Sequence, residues 1–536
     1  MKDAPRRTVL VGSLLLLCTL SSAQSIRISR DVVPTSLVPD GFTLTWQTDR
    51  PGSTEAYYGP TPGLGLHAAH EARGTIHELQ LTGLAPASFH YVQPFSVAGG
   101  DTAFAPVGIY STASRSAGDI KVYFTKGVDT SVSSGEDAIG LFSAIDDTIK
   151  AYIDRAEQTL DIAMYNTNST LMVQAVNAAK ARGVQVRWIA EGGNSNYALG
   201  SLNSGIPVLY REDSEGSGMH NKFMVIDADD ADRAVVMGGS CNWTTQSFFD
   251  DYNNIVFIHD QAVAQCYRTE FQEMWGGSGP QPDPVQSRFG ADKANNTPHT
   301  FNVGGTTVEV YFSPSDGTTL KIRNAINAAS ANLYFALLIF TENSLGTAVR
   351  NANNRPGMTV RGDIEDIEAT GSEFNFLVNN GVEIYAHGNE DGMLHHKYAI
   401  LDEGASNAQV VTGSHNWTAS AENVNDENIM IIHGGTVANQ FFQEWNARHN
   451  AVAGIGERAL ANGLIAWPVP AHDELFLLPT GTGPALITVR DATGREVYRM
   501  ETNGLATIRT GDWQAGMYVV GSVQEGTHSQ RTVVVW

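Results

Sequence analysis

"MHNKFMVID" occupies residues 219–227 and "LHHKYAILD" occupies residues 394–402. Each reads His, any residue, Lys, four residues, Asp, and each Lys opens an apolar run that suits a buried strand. The pattern fixes three residues, so chance supplies roughly one match in ten or twenty chains of this length. Two matches at equivalent points of one chain are far rarer. Each is also followed by a turn of nearly the same spelling, "GGSCNWT" at 238–244 and "TGSHNWT" at 412–418. His220 to Gly239 is 19 positions and His395 to Gly413 is 18, and the extra residue falls in the loop between the paired strands.

Working outward, residues about 119–450 repeat themselves. "VYFTKG" at 122–127 answers "VYFSPSDG" at 310–317, "GVQVRWIAE" answers "GMTVRGDIE", and "NSGIPVLY" answers "NNGVEIYA". "IVFIHD" answers "IMIIHG", and Trp275 answers Trp445. Segments such as "TLMVQAVNAAKARG" carry helical spacing between the strands. The alternation of strand and helix predicts two α/β sandwiches of like design, one per repeat, over 119–278 and 305–450.

With 536 residues the chain is too long for one core, and the flanks read differently. Residues 25–115 are short alternating or aromatic runs such as "GFTLTWQT" and "FHYVQPFSV", broken by Pro and Gly, hence a β-sandwich. On "LTGLAPASFHYVQP" this segment resembles a fibronectin type III domain, with Phe89 where that family usually has Tyr. "STASRSAGD" then reads as a linker. Residues 465–536 form a small C-terminal β-sandwich. Pro468, Pro470 and Ala471, then Asp491, Gly494 and Arg495, then Gly516 and Tyr518 resemble the sorting domain of type IX secretion substrates. That resemblance implies secretion machinery as a partner. Residues 1–23 read as a signal peptide: Lys2, Arg6 and Arg7 precede "TVLVGSLLLLCTL", and "SSAQ" offers cleavage after Ala23. The expected location is outside the cell or on its surface. The remaining Cys241 and Cys266 leave a bridge or two free thiols open.

The paired motifs and turns are similar to the doubled HKD signature of the phospholipase D superfamily. The resemblance implies two similar α/β halves meeting face to face, with one site at the seam, in a monomeric catalytic unit. On a strand, residues two apart share a face, so His220 goes with Lys222 and His395 with Lys397. Lys222 and Lys397 suit the charge that grows on phosphoryl oxygens. Asn242 and Asn416 can donate to the same oxygens; Ser240 and Ser414 can do so or hold the turn. One His, neutral, attacks phosphorus and forms a phosphohistidine. The other protonates the leaving alcohol and then deprotonates water. The lysines supply the charge a metal would, so no metal or cofactor is expected.

The family places the motif residues Asp227 and Asp402 away from the phosphate, with structural or modest catalytic weight, and a carboxylate beside each His. Glu427 in "NDENIMII" fits that position; Asn253 stands at the equivalent place in "DYNNIVFI", with Asp250 or Asp251 as a possible substitute. The within-repeat expectation is that Glu427 serves His395, that Asn253 serves His220, and that a bell-shaped pH profile centres near neutrality. The resemblance makes His220 the nucleophile. His259 and His433 read as strand-end residues, Trp243 and Trp417 as packing walls, and Cys241 as packing.

Three functions stay open: a phospholipase acting on a lipid head group, a metal-independent nuclease acting on DNA or RNA, and a non-catalytic surface binding protein. The net charge of −23 disfavours gripping a polyanion. Both His-Lys pairs and both Asn are intact, which disfavours a decayed site.

Overall fold

The computed structural model describes residues 25–535, apart from 213–217, 389–391, 463, 468–470, 472–473, 480–482, 505 and 525–526. The leader-like segment 1–23 and the prolines at 468 and 470 lie outside the described residues.

The N-terminal unit is all β. Strands Ile28–Val38, Gly41–Gly59, Leu66–Thr82, Phe89–Ala98, Asp101–Phe104 and Gly108–Ser111 are joined by hydrogen bonds into one six-stranded network. Alternation along Gly41–Gly59 buries Phe42, Leu44 and Trp46. His77 is wholly buried, stacks on Trp46 with ring centroids 5.0 Å apart, and is bonded at both ring nitrogens by Thr48 and Thr54.

The duplication is visible in the sheets. In the first repeat the strand order is Val208–Arg211, Gln185–Glu191, Thr159–Met164, Lys222–Ile226, Val235–Gly239, Asn254–Ile258, Ile120–Phe124, Ile139–Gly140. In the second it is Glu383–Ala386, Thr359–Asp366, Asn332–Ile339, Lys397–Leu401, Gln409–Gly413, Glu427–His433, Thr306–Ser313, Thr300–Val303. The first seven positions correspond; the eighth differs, since Ile139–Gly140 follows Ile120–Phe124 and pairs parallel with it, whereas Thr300–Val303 precedes Thr306–Ser313 and pairs antiparallel. Phe223 and Val225 of one motif strand join Tyr398 and Ile400 of the other in a single core, with helices Gln261–Trp275 and Gly435–Asn462. Met224 and Ile226 alternate to the opposite face, where helices Ile145–Ile153 and Thr170–Ala181 cover a second core. Helix Gly435–Asn462 runs 28 residues, well past the boundary near 450 expected from sequence.

At the C-terminus, strands Leu464–Trp467, Glu474–Pro479 and Ala506–Arg509 form one sheet; Glu496–Thr502, Ala485–Asp491, Gly516–Gln524 and Thr527–Val535 form another. Leu475 and Ile508 of the first share a core with Ile487 and Val520 of the second.

Candidate active site

Each motif His stands just before its strand, and each motif Lys opens it. Lys222 Nζ donates to the His220 carbonyl and Lys397 Nζ to the His395 carbonyl, both at 2.7 Å. One ammonium N–H is thereby fixed, and the others remain for a ligand. The residue between His and Lys alternates to the other face and stitches the seam. Asn221 Oδ1 accepts from Asn428 Nδ2 at 2.8 Å, and His396 Nδ1 lies 3.1 Å from Asn254 Nδ2.

The turn after the second strand closes in the same way in both repeats. Gly239 and Gly413 have φ of +126° and +148°, and a Cβ would meet the carbonyl oxygens of Asn254 and Asn428 at 2.4 and 2.2 Å. Only glycine fits there. Ser240 and Ser414 then receive the backbone N–H of Asn254 and Asn428, both at 3.1 Å. Of the two roles open to these serines, the structure shows turn-holding. Asn242, buried, and Asn416, half-buried, lie beside them, and each keeps a buried side-chain oxygen without a hydrogen-bond partner.

The histidine partners are crossed. His220 Nδ1 lies 2.7 Å from Glu427 Oε2, and His395 Nδ1 lies 2.9 Å from Asn253 Oδ1. The within-repeat pairing expected from sequence is therefore corrected: Glu427 serves the other half's histidine. The cause is backbone pairing across the seam. Asp426 N donates to Gly218 O, Tyr252 N to Met393 O, and His395 N to Tyr252 O. Each segment before a motif His thus lies along the segment holding the opposite orienter. Asp426 is anchored further by Arg211, by Lys293 at 3.3 Å and by Gly290 N at 2.8 Å. Asp251 does not replace Asn253; its carboxylate accepts from Gln246 at 3.3 Å.

Burial sets the protonation states. It pushes His220 down to about 4, with the Glu427 carboxylate opposing and Lys222 and Lys397 adding to the fall. It also holds His395 well below the ordinary imidazole range, aided first by Lys397 and then by Lys222 and His220. Lys222 falls to about 7, and Lys397 lies well below its ordinary value, partly through Lys222. The four groups therefore act on one another across the seam. An anion between the lysines would relieve their repulsion and restore their charge. A neutral His220 donates Nδ1–H to Glu427 and turns the Nε2 lone pair outward.

The family described as "Cardiolipin synthase, PLD-like domain" matches residues 149–275 and 322–448. A Rickettsia conorii protein named phospholipase D is 30% identical over 140 residues, 26% of this chain and 67% of that protein. The chain belongs to the phospholipase D-like family. A Xenopus tropicalis protein named mitochondrial cardiolipin hydrolase is 31% identical over 144 residues, 26% of this chain. The chain spans 64% of that relative's length. Among solved structures, Nuc from Salmonella typhimurium, titled a phospholipase D family member, is 28% identical and covers 27% of this chain and 95% of its own, with a TM-score of 0.24.

Two motif residues of this phospholipase D-like pair stand away from the site. Asp227 accepts the backbone N–H groups of Glu157, Gln158 and Thr159 at 2.7–2.9 Å; Asp402 accepts those of Ser330, Ala331 and Asn332 at 2.6–3.3 Å. Both have left-handed backbone, at φ +46° and +55°. They pin the loop before the neighbouring strand, a structural position of the kind the resemblance implies. His433 ends its strand and His259 directly follows the last residue of its own, as expected. Trp243 and Trp417 are buried packing walls. Cys241 and Cys266 are free and buried, and burial pushes both thiols up. Sequence reading missed Tyr165: its ring lies edge-on to His220 at 4.4 Å and under Lys222 Nζ at 4.7 Å. Its counterpart at the same backbone position is Leu338, so the two half-sites differ in their walls.

Proposed function

We propose that the protein is a secreted phosphodiesterase that cleaves a phospholipid head-group diester through a phosphohistidine. The observation that carries this reading is the His220–Glu427 contact across the seam. It supports His220 as nucleophile: Nε2 attacks phosphorus and the P–O bond to the leaving alcohol breaks. His395, protonated when the substrate anion sits between Lys222 and Lys397, gives its Nε2 proton to that alcohol. It then takes a proton from water, whose oxygen displaces His220 from phosphorus. Lys222, Lys397, Asn242 and Asn416 hold the phosphoryl oxygens.

The relatives' names, a phospholipase D and a cardiolipin hydrolase, favour a lipid diester. So does the net charge of −23, which opposes a long polyanion. In this reading residues 1–23 direct export, 465–536 direct sorting to the surface, and 25–115 form a fibronectin type III-like module.

The test is to incubate the purified protein with phosphatidylcholine or cardiolipin vesicles and, separately, with plasmid DNA. Release of head group or phosphatidic acid is expected. Nicked DNA with intact lipid would replace the lipid reading with a nuclease, and no cleavage of either would sink the enzymatic reading.

A further inference from the structure

The two motif histidines precede their strands, so the regular ladder that fixes Lys222 and Lys397 does not fix them. Besides the backbone pairing across the seam, a carboxylate holds the backbone there. In the first repeat it is Glu191, the last residue of strand Gln185–Glu191. This carboxylate is buried and accepts Met219 N–H at 2.6 Å with Oε2 and Gly193 N–H at 2.9 Å with Oε1. In the second repeat the residue is Glu365, in strand Thr359–Asp366. Its Oε2 accepts Leu394 N–H at 2.8 Å and lies 2.9 Å from His387 Nδ1. Met219 and Leu394 immediately precede His220 and His395. The same acceptor therefore grips the same peptide N–H in both halves.

Burying a carboxylate is costly unless its lone pairs are satisfied, and charge-assisted bonds to N–H are short and directional. An apolar residue at the strand end would serve the fold without that cost. The grip on Leu394 reaches further. His387 packs edge-on against Tyr252 at 5.1 Å, and the Tyr252 carbonyl accepts His395 N–H at 3.0 Å. Glu365 thus braces both His395 and the segment that carries its partner Asn253.

The geometry points to Glu191 and Glu365 as a pair of positioning residues, each fixing the peptide that aims one histidine: Glu191 for attack on phosphorus and Glu365 for proton transfer. The division of labour rests on the roles given to His220 and His395 under Proposed function. The grip itself does not.

The test uses the mature full chain with Glu191→Ala, Glu191→Gln, Glu365→Ala and Glu365→Gln. Pre-steady-state release of p-nitrophenolate from a nitrophenyl phosphodiester reports adduct formation, because that leaving group departs without a proton. Glu191→Ala is expected to slow the burst at least tenfold at unchanged amplitude. Glu365→Ala is expected to leave the burst within about twofold of the unmodified protein but to cut turnover at least tenfold, since hydrolysis of the adduct needs His395 as base. The Gln variants, which keep one acceptor oxygen, should recover part of each loss. Burst and turnover rates unchanged in both Ala variants, with only the amplitude reduced, would mean the glutamates merely maintain folded protein and would overturn the assignment. Amide hydrogen exchange needs no turnover. Protection at Met219 should fall in Glu191→Ala and protection at Leu394 in Glu365→Ala; protection retained in either Ala variant would overturn the grip. An unmodified protein inactive on every diester would count against the proposed function alone, leaving exchange to decide the grip.

Discussion

His220 Nδ1 sits 2.7 Å from the carboxylate of Glu427, a residue 207 positions away in the opposite repeat. The reciprocal contact, His395 to Asn253 at 2.9 Å, carries no charge. One imidazole is thus oriented by an anion and the other by an amide. That asymmetry separates a nucleophile, which needs its developing positive charge balanced, from an acid, which must let its proton go.

The first prediction concerns pH. Attack needs His220 neutral, and burial holds it near 4, so the acid limb of kcat/KM lies near that value. Leaving-group protonation needs His395 charged, and its folded value lies well below 6.5, so rate falls as pH rises through the low value. Lys222, pushed to about 7, loses charge in the same direction. The profile of the free enzyme should therefore be bell-shaped with its maximum below 6.5, not at neutrality. Measuring kcat/KM between pH 4 and 9 checks this; a maximum above pH 7 would contradict it.

Asn253→Asp places a carboxylate on His395 and should raise its basicity. The alkaline limb should move up by about one pH unit, while the acid limb stays. Glu427→Gln should instead lower kcat by roughly 100-fold. If Asn253→Asp moved the acid limb, the crossed pairing would be wrong.

Asp227→Ala and Asp402→Ala each leave backbone N–H groups without their acceptor. A loss of stability of about 2–4 kcal/mol is expected for each, read by chemical denaturation. Below the melting temperature kcat should stay within a few-fold of the unmodified protein. A loss of several orders of magnitude in the folded variant would return these residues to the chemistry.

How much of this was legible beforehand differs by residue. Lys222 and Lys397 announced themselves because each opens a continuous apolar run and shares a strand face with the His two residues before it, and Gly239 and Gly413 because their turns are spelled alike. The partner of His220 was not legible. Neighbourhood along the chain favours pairing within a repeat, and only the backbone contact of Asp426 with Gly218 reveals the exchange. Asn221 and His396 read as arbitrary residues of the motif, since nothing in one repeat shows that this face meets the other. The resemblance gave Asp227 less weight than His220, but spacing carries no sign of the left-handed φ or of the three N–H groups that Asp227 holds.

Catalysis should persist in EDTA, because Lys222 and Lys397 supply the charge opposite the phosphoryl oxygens. Head-group release with and without chelator measures this. Loss with EDTA and recovery on adding a divalent cation would contradict it.

The central claim is that His220, braced by Glu427, carries the phosphoryl group. Acid-free quenching during turnover, followed by proteolysis and mass spectrometry of the peptides, tests it most directly. The phosphoryl adduct is expected on the peptide containing His220, none there in Glu427→Gln at the same early time, and, with a nitrophenyl diester whose leaving group departs without a proton, accumulation in His395→Asn. An adduct on the peptide containing His395 would reverse the assignment, and no adduct on either during active turnover would contradict the covalent mechanism.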